Sequence, residues 1–443
     1  MARGVVVLGA GSSGEAFASE LRRHDADVPI TVVERELVGG ECSYWACMPS
    51  KTLLRGPEIL AEARRAPAVP RADLDTERLF WWRDQVVGSG DDSSQAEWLT
   101  GMDIELVRGD ARVREPGIVE VGDREIPYDK LVVATGSSAA VPDMPGLSEL
   151  PFWTSREATR GSELPASLAV LGGGAVGCEL AQLYRRLGAE TTLIQIGPNL
   201  LPREDPEASG LLADELREEG IRILTCAKAE AVQCTHTDCF TLHVPDAGDV
   251  RADRLLVATG RRPNVEGIGL EQLGLRIGRK GIEVDERLRA ADGVWAAGDV
   301  TGVALFTHVG KYQGRMAARD VAGLDVRADY RAVPAVTFTD PQVASVGTTD
   351  GNGFVTAKRA VERTSRTSTY ERPKRPGFVK LYADPDRRAL VGATVVGPEA
   401  GEWLGQLTLA VRAEVSVDTL RDSIQPFPTF SEAIFFAARD LPL

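Results

Sequence analysis

The chain has 443 residues, 26% of them charged, and its formal net charge at pH 7 is −14. This length suggests two to four domains, because a single hydrophobic core seldom keeps growing beyond about 250–300 residues. The acidic balance argues against nucleic acid and anionic lipid as partners, so we expect a small-molecule substrate.

The first apolar run begins at Val5, which leaves no room for a signal peptide, and no window approaches the roughly 20 apolar residues of a membrane span. We therefore expect a cytoplasmic protein without a membrane partner. Six cysteines in a chain of this length are too few for a structural disulfide framework, and a reducing compartment would not keep one. A cysteine pair with a function is then expected to be catalytic.

The first predicted elements are a strand from Val5, a glycine turn, a helix and a second strand that ends at Glu34. In the turn, Gly9 permits a tight bend, Gly11 lets the backbone approach a pyrophosphate, and Gly14 lets helix and strand pack closely. The helix N-terminus offers amide donors to phosphate. Glu34, twenty residues after Gly14, is placed to accept hydrogen bonds from an adenosine ribose. The pattern predicts a dinucleotide-binding βαβ unit.

Two cysteines, Cys42 and Cys47, lie in the next segment, which runs from Gly39 to Lys51. In a regular helix, positions five apart are displaced by roughly 7.5 Å along the axis, whereas a disulfide tolerates roughly 4.4 to 6.8 Å between Cα atoms. If the two cysteines pair, one of them must lie ahead of, or in a distorted part of, the first helical turn. A helix N-terminus also lowers the pKa of a thiol, so we interpret the segment as redox-active.

The same strand, turn, helix and strand recur with Gly172, Gly174 and Gly177 in the turn and Gln195 at the end of the second strand. An acid at that last position favours NAD, and an arginine nearby favours NADP by pairing with its 2′-phosphate. Gln195 does neither, and the next cation is Arg203. The sequence therefore predicts a second nucleotide-binding domain but leaves NADH and NADPH as alternatives.

Each repeat is followed by a strand that ends in Ala-Thr-Gly, at Gly136 and at Gly260. From Val333 the sequence changes to the alternation typical of β-strands, followed by a helical segment. The expected fold class is α/β, with two doubly wound nucleotide-binding domains and a C-terminal α+β domain. Pro-rich breaks near residues 141–146 and 262–264 predict the borders. The expected domains are residues 1–147 with 265–330, residues 148–264, and residues 331–443.

One further cluster, Cys234, His236, Cys239 and His243, has donor atoms that could hold a metal. Its spacing matches no familiar zinc pattern. We therefore expect no metal there and interpret the cluster as an exposed hairpin within the second nucleotide-binding domain.

At the cysteine segment the sequence resembles the class I pyridine nucleotide-disulfide oxidoreductases, which include lipoamide dehydrogenase, glutathione reductase and mercuric reductase. The resemblance extends to Trp295–Asp299, which is similar to the family's site for the flavin's ribityl and phosphate groups, and to Phe338–Gly347, which is similar to the start of its dimerisation domain. It implies FAD in the first domain and NADH or NADPH in the second. It also implies a homodimer whose active site includes the partner's C-terminal segment.

The resemblance also implies roles for individual residues. Cys47 matches the cysteine that faces the flavin and forms the charge-transfer complex, and Cys42 matches the outer thiol that meets the substrate. Lys51 matches the lysine near flavin N5, and Glu179 matches the glutamate that pairs with it; their charge would stabilise the reduced flavin. Asp299 falls in the flavin motif, and His308 is expected to pack against the cofactor rather than act as a base.

The C-terminal segment departs from the family, whose thiol-active members carry His-Pro-Thr-x-x-Glu. Here Phe427 stands in place of the histidine, Glu432 remains, and Gln425 replaces a neighbouring histidine. No histidine follows His308. Loss of a positioned acid-base group costs roughly 10²- to 10⁴-fold on a proton-transfer step, so we do not expect an ordinary lipoamide or glutathione reductase.

Two further features bear on the substrate. Tyr44 and Trp45, between the cysteines, are bulkier than the residues common in the family, and with Phe427 they are expected to make the disulfide's surroundings aromatic and drier. Mercuric reductases of the family depend on a C-terminal cysteine pair, and no cysteine follows Cys239 here.

Three functions stay open. The first is an NAD(P)H-dependent reductase that uses FAD and the Cys42–Cys47 pair on an atypical disulfide or thiol substrate. The second is a quinone- or dye-type electron-transfer reductase in which the cysteines are dispensable. The third is a redox-sensing flavoprotein of low turnover, which the presence of Lys51, Glu179 and a complete second glycine turn disfavours.

Overall fold

The computed structural model describes residues 4–66, 68–69, 72–234, 239–245, 247–370 and 377–443. These residues form twelve α-helices: α1 Ser12–His24, α2 Gly40–Tyr44, α3 Cys47–Arg65, α4 Thr76–Val86, α5 Ser93–Gly101, α6 Ser155–Arg160, α7 Ala175–Arg186, α8 Pro206–Glu218, α9 Thr307–Val321, α10 Ala400–Arg412, α11 Val417–Asp422 and α12 Glu432–Asp440. In the described ranges no helix has the length and apolarity that crossing a bilayer requires.

The same residues form 24 β-strands: β1 Gly4–Leu8, β2 Ile30–Glu34, β3 Glu105–Arg108, β4 Ala111–Glu115, β5 Ile118–Val121, β6 Arg124–Val133, β7 Ser137–Ala139, β8 Ser167–Leu171, β9 Glu190–Ile194, β10 Arg222–Leu224, β11 Ala231–Cys234, β12 Phe240–His243, β13 Val250–Ala252, β14 Arg254–Val257, β15 Arg261–Pro263, β16 Ile277–Gly278, β17 Gly281–Ile282, β18 Arg289–Ala291, β19 Val294–Ala296, β20 Pro334–Thr337, β21 Gln342–Gly347, β22 Val355–Ala360, β23 Phe378–Asp384 and β24 Ala389–Gly397.

The chain divides into two compact units. Unit 1 consists of Met1–Ser50, Trp81–Ala140 and Arg261–Asp329, and unit 2 consists of Lys51–Phe80, Val141–Gly260 and Tyr330–Leu443. The three-domain boundaries expected from the sequence therefore stay a prediction.

Unit 1 is built on a sheet with the strand order β18-β19-β6-β1-β2-β3, in which the strands from β19 to β3 are parallel. Strand β1 is buried along nearly its whole length, as expected for a parallel strand covered on both faces. The carboxyl ends of parallel strands meet at one edge of the sheet. The turn after β1, Glu34 at the end of β2 and the turn after β6 therefore share that edge.

Unit 2 contains a second parallel sheet, with the strand order β10-β9-β8-β14. Its glycine turn follows β8, Gln195 follows β9, and Gly260 lies beyond the end of β14. The two βαβ units expected from the sequence are thus present, one in each unit.

A smaller antiparallel sheet in unit 2 has the order β11-β12-β13 and contains the predicted hairpin. Cys234 ends β11 and His243 ends β12, while His236 lies outside the described residues. Among the residues that the structure describes, no group of three His, Cys, Asp or Glu side chains is arranged to hold a metal ion.

The C-terminal part of unit 2 is a five-stranded antiparallel sheet with the order β20-β21-β24-β23-β22. Helices α10 and α12 pack on this sheet, and their buried residues include Leu404, Leu407, Ile434 and Ala437. This sheet with its helices confirms the α+β character expected beyond Val333.

Candidate active site

The first glycine turn joins β1 to α1 in unit 1. Gly9 has a φ of 102°, and a Cβ there would lie 2.5 Å from the carbonyl oxygen of Ala134. A Cβ on Gly14 would lie 2.0 Å from the carbonyl oxygen of Gly9, so no larger residue fits without moving the helix. The only backbone near a Cβ on Gly11 is the Cα of Gly40, at 3.9 Å. Space is therefore left at the N-terminus of α1.

Glu34 braces this turn. Its carboxylate accepts hydrogen bonds from the backbone N–H groups of Ala10, at 2.7 Å, and Glu36, at 2.8 Å. A carboxylate has about four acceptor sites, so capacity remains for ribose hydroxyls. Within the described chain no side chain caps α1, and its first amide N–H groups can bind phosphate oxygens. The turn and Glu34 fit the adenosine and pyrophosphate groups of a dinucleotide such as FAD.

A second polar cluster in unit 1 surrounds Asp299. The Ser137 hydroxyl donates to Asp299 at 2.5 Å, and Arg261 donates to the Ser137 hydroxyl and carbonyl oxygens at 2.7 and 2.6 Å. Arg261 also lies 3.7 Å from Asp299 and 3.6 Å from Glu41. Gly136, just before this cluster, has a φ of 69° and open space beside its Cα. Asp299 is thus held in place at the edge expected for the flavin motif.

The two cysteines lie in different helices. Cys42 is in the short helix α2, and Cys47 is the first residue of α3, with Trp45 and Ala46 between the helices. Cys42 thus lies ahead of the first turn of α3, which is one of the two placements expected from the sequence for a cysteine pair. In the structure both cysteines are thiols. They are hydrogen-bonded to one another, and the Cys47 Sγ lies 3.3 Å from the hydroxyl of Thr307.

The groups around the Cys42 sulfur change its pKa in opposite directions. The pKa of the Cys42 thiol is raised, first by its hydrogen bond to Cys47, then by burial and by the charge of Cys47. A hydrogen bond to Thr307 and the positive charge of Lys311 act in the opposite direction. The net result of these influences is a raised pKa of Cys42, which favours its neutral form.

The aromatic residues between the cysteines are nearly completely buried. Tyr44 and Trp45 pack with Val87 and Leu37, and the Tyr44 hydroxyl donates to the carbonyl of Val38 at 3.1 Å. Burial raises the pKa of Tyr44 to about 12. These rings anchor the end of α2 in the interior of unit 1; the drier surroundings expected for the sulfurs stay a prediction.

The second glycine turn joins β8 to α7 in unit 2. Gly172 has a φ of 105°, and a Cβ there would lie 2.3 Å from the carbonyl oxygen of Ala258. A Cβ on Gly177 would lie 1.9 Å from the carbonyl oxygen of Gly172, whereas a Cβ on Gly174 would meet no atom of the described residues within 4 Å. In the described residues no side chain caps α7. This turn therefore also fits a nucleotide's phosphates.

Gln195 stabilises the glycine turn of unit 2 in the way that Glu34 stabilises the turn of unit 1. Its side-chain carbonyl accepts the N–H of Gly173 at 3.0 Å, and its amide donates to the carbonyl of Asn199 at 3.2 Å. The side chain is nearly fully buried. One amide N–H remains for a nucleotide, and the uncharged amide of Gln195 does not itself repel a 2′-phosphate. Gly260, with a φ of 142°, lies beyond the end of β14, which belongs to the same sheet as β9.

An ion pair in unit 2 joins Lys51 to Glu179. The Lys51 Nζ lies 2.6 Å from one Glu179 oxygen, and the other oxygen accepts the backbone N–H of Phe338 at 2.8 Å. The Lys51 ammonium also lies 5.0 Å from the centre of the Phe338 ring, within the range of a cation–π contact. Lys51 is held from two directions, and the pairing expected from the sequence is present.

The C-terminal segment of unit 2 contains Phe427 and Glu432. Phe427 is 73% exposed, and the Glu432 carboxylate accepts the N–H of Thr429 at 3.4 Å. Glu432 therefore stabilises the start of α12. In unit 1, His308 is exposed and stacks on Phe306, with 5.1 Å between ring centres.

The structure groups the predicted residues by unit. Unit 1 contains Gly9, Gly11, Gly14, Glu34, Cys42, Cys47, Gly136, Asp299 and His308, and unit 2 contains Lys51, Gly172, Gly174, Gly177, Glu179, Gln195, Gly260, Phe427 and Glu432. Sequence reasoning missed Thr307, Lys311 and Glu15 in unit 1. Glu15 directly follows Gly14, and a carboxyl group at that point of a phosphate-binding turn was the available signal.

Comparison with known proteins agrees with these features. Residues 3–322 match the model of the family described as pyridine nucleotide-disulphide oxidoreductase, and residues 333–438 match the model of that family's dimerisation domain. The chain belongs to this family. As a pyridine nucleotide-disulphide oxidoreductase it is an FAD-dependent enzyme that uses NADH or NADPH.

Several members of the pyridine nucleotide-disulphide oxidoreductases are similar over nearly the whole chain. A mercuric reductase of Acidithiobacillus ferrooxidans is 35% identical over 97% of this chain and 81% of its own length. A dihydrolipoyl dehydrogenase of Thermus scotoductus is 35% identical over 99% and 97%. Among solved structures, LpdA from Mycobacterium tuberculosis has a TM-score of 0.89 at 27% identity, and the copper(II) complex of the HOCl-induced flavoprotein disulfide reductase RclA from Escherichia coli has 0.88 at 26%; each comparison covers 99% of both chains.

Proposed function

We propose that this enzyme is an NAD(P)H-dependent reductase in which the Cys42 and Cys47 pair delivers two electrons to an atypical disulfide substrate. The observation that supports it is the arrangement of the pair: Cys47 begins α3, Cys42 is hydrogen-bonded to it, and Thr307 contacts the inner sulfur. Bound FAD would supply the route by which a hydride from the nicotinamide reduces the cysteine pair.

The thiol step uses the two cysteines and one additional proton. The Cys42 thiolate attacks one sulfur of a substrate disulfide, which forms a mixed disulfide and releases the first product thiolate. The Cys47 thiolate then attacks the Cys42 sulfur, releases the second product, and re-forms the Cys42–Cys47 disulfide. Two protons, one from the Cys42 thiol and one from solvent or an acid, accompany the two products. Cys42 must therefore lose a proton before it attacks.

We propose that the remaining residues have the roles implied by the resemblance. Lys51, paired with Glu179 at 2.6 Å, supplies a fixed positive charge that favours the reduced flavin. Residues 333–438 match a dimerisation domain, so we propose a homodimer in which Phe427 and Glu432 of one subunit face the partner's thiols. The three proposed domains keep the boundaries expected from the sequence.

Electron transfer to a quinone or dye is the second candidate. It is favoured by Phe427, an apolar side chain that is 73% exposed where thiol-active relatives carry a histidine. Such an acceptor takes electrons from the reduced cofactor and needs no proton relay to Cys42. Under this candidate the cysteines are dispensable.

One panel of assays separates the two candidates. Oxidation of NADH and NADPH would be measured with a quinone, with lipoamide and with glutathione disulfide, in wild type, Cys42→Ser and Cys226→Ser. Cys226 is an exposed cysteine in unit 2 and serves as the matched control. We expect Cys42→Ser to lose disulfide reduction by at least about 100-fold, a typical loss when a reacting group is removed. Unchanged turnover of every acceptor in Cys42→Ser would favour the quinone candidate instead.

A further inference from the structure

The outer thiol has a positive charge near it that the proposed function has not yet used. The pKa of Cys42 is raised by its hydrogen bond to Cys47, by its own burial and by the charge of Cys47. The charge of Lys311 acts in the opposite direction and lowers it. The nearest acid in α2 is Glu41, and it lies 3.6 Å from Arg261. Glu41 is therefore engaged elsewhere, and Lys311 is the cation that acts on Cys42.

Helix α9 explains why Lys311 faces the thiols. Residues four apart on a helix lie on one face, so Thr307 and Lys311 share a face of α9. The Thr307 hydroxyl lies 3.3 Å from the Cys47 sulfur, which fixes that face toward the cysteine pair. Lys311 itself is exposed, so its charge acts on Cys42 without the cost of burying an ammonium group.

Helix α1 carries an acid, Glu15, whose ionisation is affected by the charge of Lys311. The two helices pack closely, because a Cβ on Gly310 would lie 2.4 Å from the Ser13 hydroxyl and one on Gly314 would lie 2.3 Å from the Ser13 carbonyl oxygen. Glu15 follows two residues after Ser13 in α1. Burial raises the pKa of Glu15 to about 7; the charge of Lys311 opposes this rise, and that of Glu34 adds to it. Glu15 therefore changes its charge near neutral pH.

We propose that Lys311 stabilises the thiolate of Cys42 in the reduced enzyme and that Glu15 is the counter-ion of Lys311. This inference rests on the proposed function, because it matters only if Cys42 is the thiol that attacks the substrate. Lys311 thereby supplies part of what the C-terminal histidine supplies in thiol-active relatives. It favours the ionised form of Cys42 but does not itself transfer the proton.

The inference can be tested by the rate at which Cys42 is alkylated. The FAD-containing enzyme is reduced with tris(2-carboxyethyl)phosphine, desalted without oxygen and treated with iodoacetamide between pH 5 and 10. Mass spectrometry of the Cys42 peptide gives the alkylation rate at each pH. The exposed Cys226 of the same molecules is an internal reference. Only the thiolate is alkylated, so the midpoint of the profile reports the ionisation of Cys42.

We expect Lys311→Gln to raise the Cys42 midpoint by about one pH unit, the size of shift that a nearby charge produces. Lys311→Arg keeps the charge and should stay within a few tenths of a unit of wild type. Arg315→Gln, one turn further along α9, is the matched control and should not move the midpoint. Glu15→Gln should lower it by a smaller amount, because it removes the negative charge that offsets Lys311.

A Cys42 midpoint that is the same in Lys311→Gln and wild type would overturn the role of Lys311. A midpoint that rises in Glu15→Gln would overturn the role of Glu15 as counter-ion. Failure of the reduced wild type to alkylate Cys42 at any pH would contradict the proposed function rather than this inference. The flavin content and the midpoint of thermal unfolding of each variant show that it has folded.

Discussion

The two glycine turns, one in each unit, have nearly the same backbone but different side chains around it. Gly9 and Gly172 have φ values of 102° and 105°, and a Cβ on the third glycine would lie 2.0 and 1.9 Å from their carbonyl oxygens. In unit 1 the N–H of Ala10 donates to Glu34, the last residue of β2. In unit 2 the N–H of Gly173 donates to Gln195, the residue after β9. A carboxylate and an amide therefore do the same structural work.

This comparison separates what the turn requires from what the nucleotide requires. The turn needs small residues and one bracing acceptor, and either Glu34 or Gln195 supplies that acceptor. The two side chains differ in how they interact with a nucleotide, because Glu34 has a carboxylate and Gln195 has a neutral amide. The residue after the third glycine differs as well: it is Glu15 in unit 1 and the fully buried Cys178 in unit 2.

The largest expected effect comes from filling the third glycine position. In Gly14→Ala the added methyl group would lie 2.0 Å from the carbonyl oxygen of Gly9, so we expect a protein purified without flavin. Gly177→Ala, with the corresponding contact in unit 2, should keep its flavin and lose binding of NADH and NADPH. Flavin absorbance and nucleotide titration measure the two losses.

The control for both glycine variants is Gly210→Ala in α8, where a Cβ meets no atom within 4 Å. It should bind both cofactors and gain about 0.5–1 kcal/mol in the free energy of unfolding, as expected in a helix interior. Normal flavin content in Gly14→Ala would show that the close contact does not decide the turn.

The next effect concerns Glu15. Its pKa is raised from 4.5 to about 7 in the folded protein, so the folded state favours the protonated form. The resulting stability is fully present below pH 4.5 and is lost as the pH rises through 7. The full loss corresponds to about 3 kcal/mol, at roughly 1.4 kcal/mol per pKa unit.

Glu15→Gln should therefore be more stable than wild type at pH 8, and the advantage should shrink as the pH falls toward 4.5. Thermal unfolding at pH 5 and pH 8 measures the difference. Cys178→Ala, at the corresponding position in unit 2, should show no such dependence on pH, because Cys178 is neutral there: burial raises its pKa. An equal effect of Glu15→Gln at both pH values would count against the ionisation of Glu15.

A histidine at position 427 should restore the acid-base group that thiol-active members of the family carry in the C-terminal segment. Phe427→His places an imidazole five residues before Glu432, the spacing that thiol-active relatives use. We expect reduction of small disulfides to rise at least about tenfold, with a new pKa near neutrality in the pH profile. Ile424→His, three residues earlier at a side chain that is 98% exposed, is a control for a histidine outside that spacing. Wild-type rates already typical of thiol-active relatives would disprove the idea that Phe427 limits the reaction.

The smallest expected effect comes from substitution of Gln195, the residue that corresponds to Glu34 of unit 1. Gln195→Glu makes unit 2 match unit 1, and its carboxylate would accept the ribose 2′-hydroxyl of NADH and repel the 2′-phosphate of NADPH. We expect the ratio of kcat/KM for NADH to that for NADPH to rise about fivefold, close to 1 kcal/mol. Gln195→Leu should weaken both cofactors alike, because it removes the brace to Gly173. A ratio that does not change in Gln195→Glu would place the discrimination elsewhere.

The sequence by itself determined the two glycine turns, the strands that flank them and the break between Cys42 and Cys47. These features depend on local backbone requirements: a glycine that a Cβ would obstruct, and the geometry of cysteines five residues apart. A pattern of neighbouring residues is enough to show such requirements. The Lys51–Glu179 pair could be expected from the sequence only through the resemblance to a family, since 128 residues separate its members.

Only the tertiary structure decided what surrounds the thiols. Thr307 contacts Cys47 across 260 residues of sequence, and Lys311 and Glu15 come together because α9 packs on α1 at glycines. Tyr44 and Trp45 are buried against Val87 and Leu37, a contact that the spacing of the cysteines does not show. These positions depend on which faces of distant helices meet, and no local pattern carries that information. The ionisation of Cys42 is therefore influenced by the packing of the fold, whereas the sequence alone indicates the break in the helix between Cys42 and Cys47.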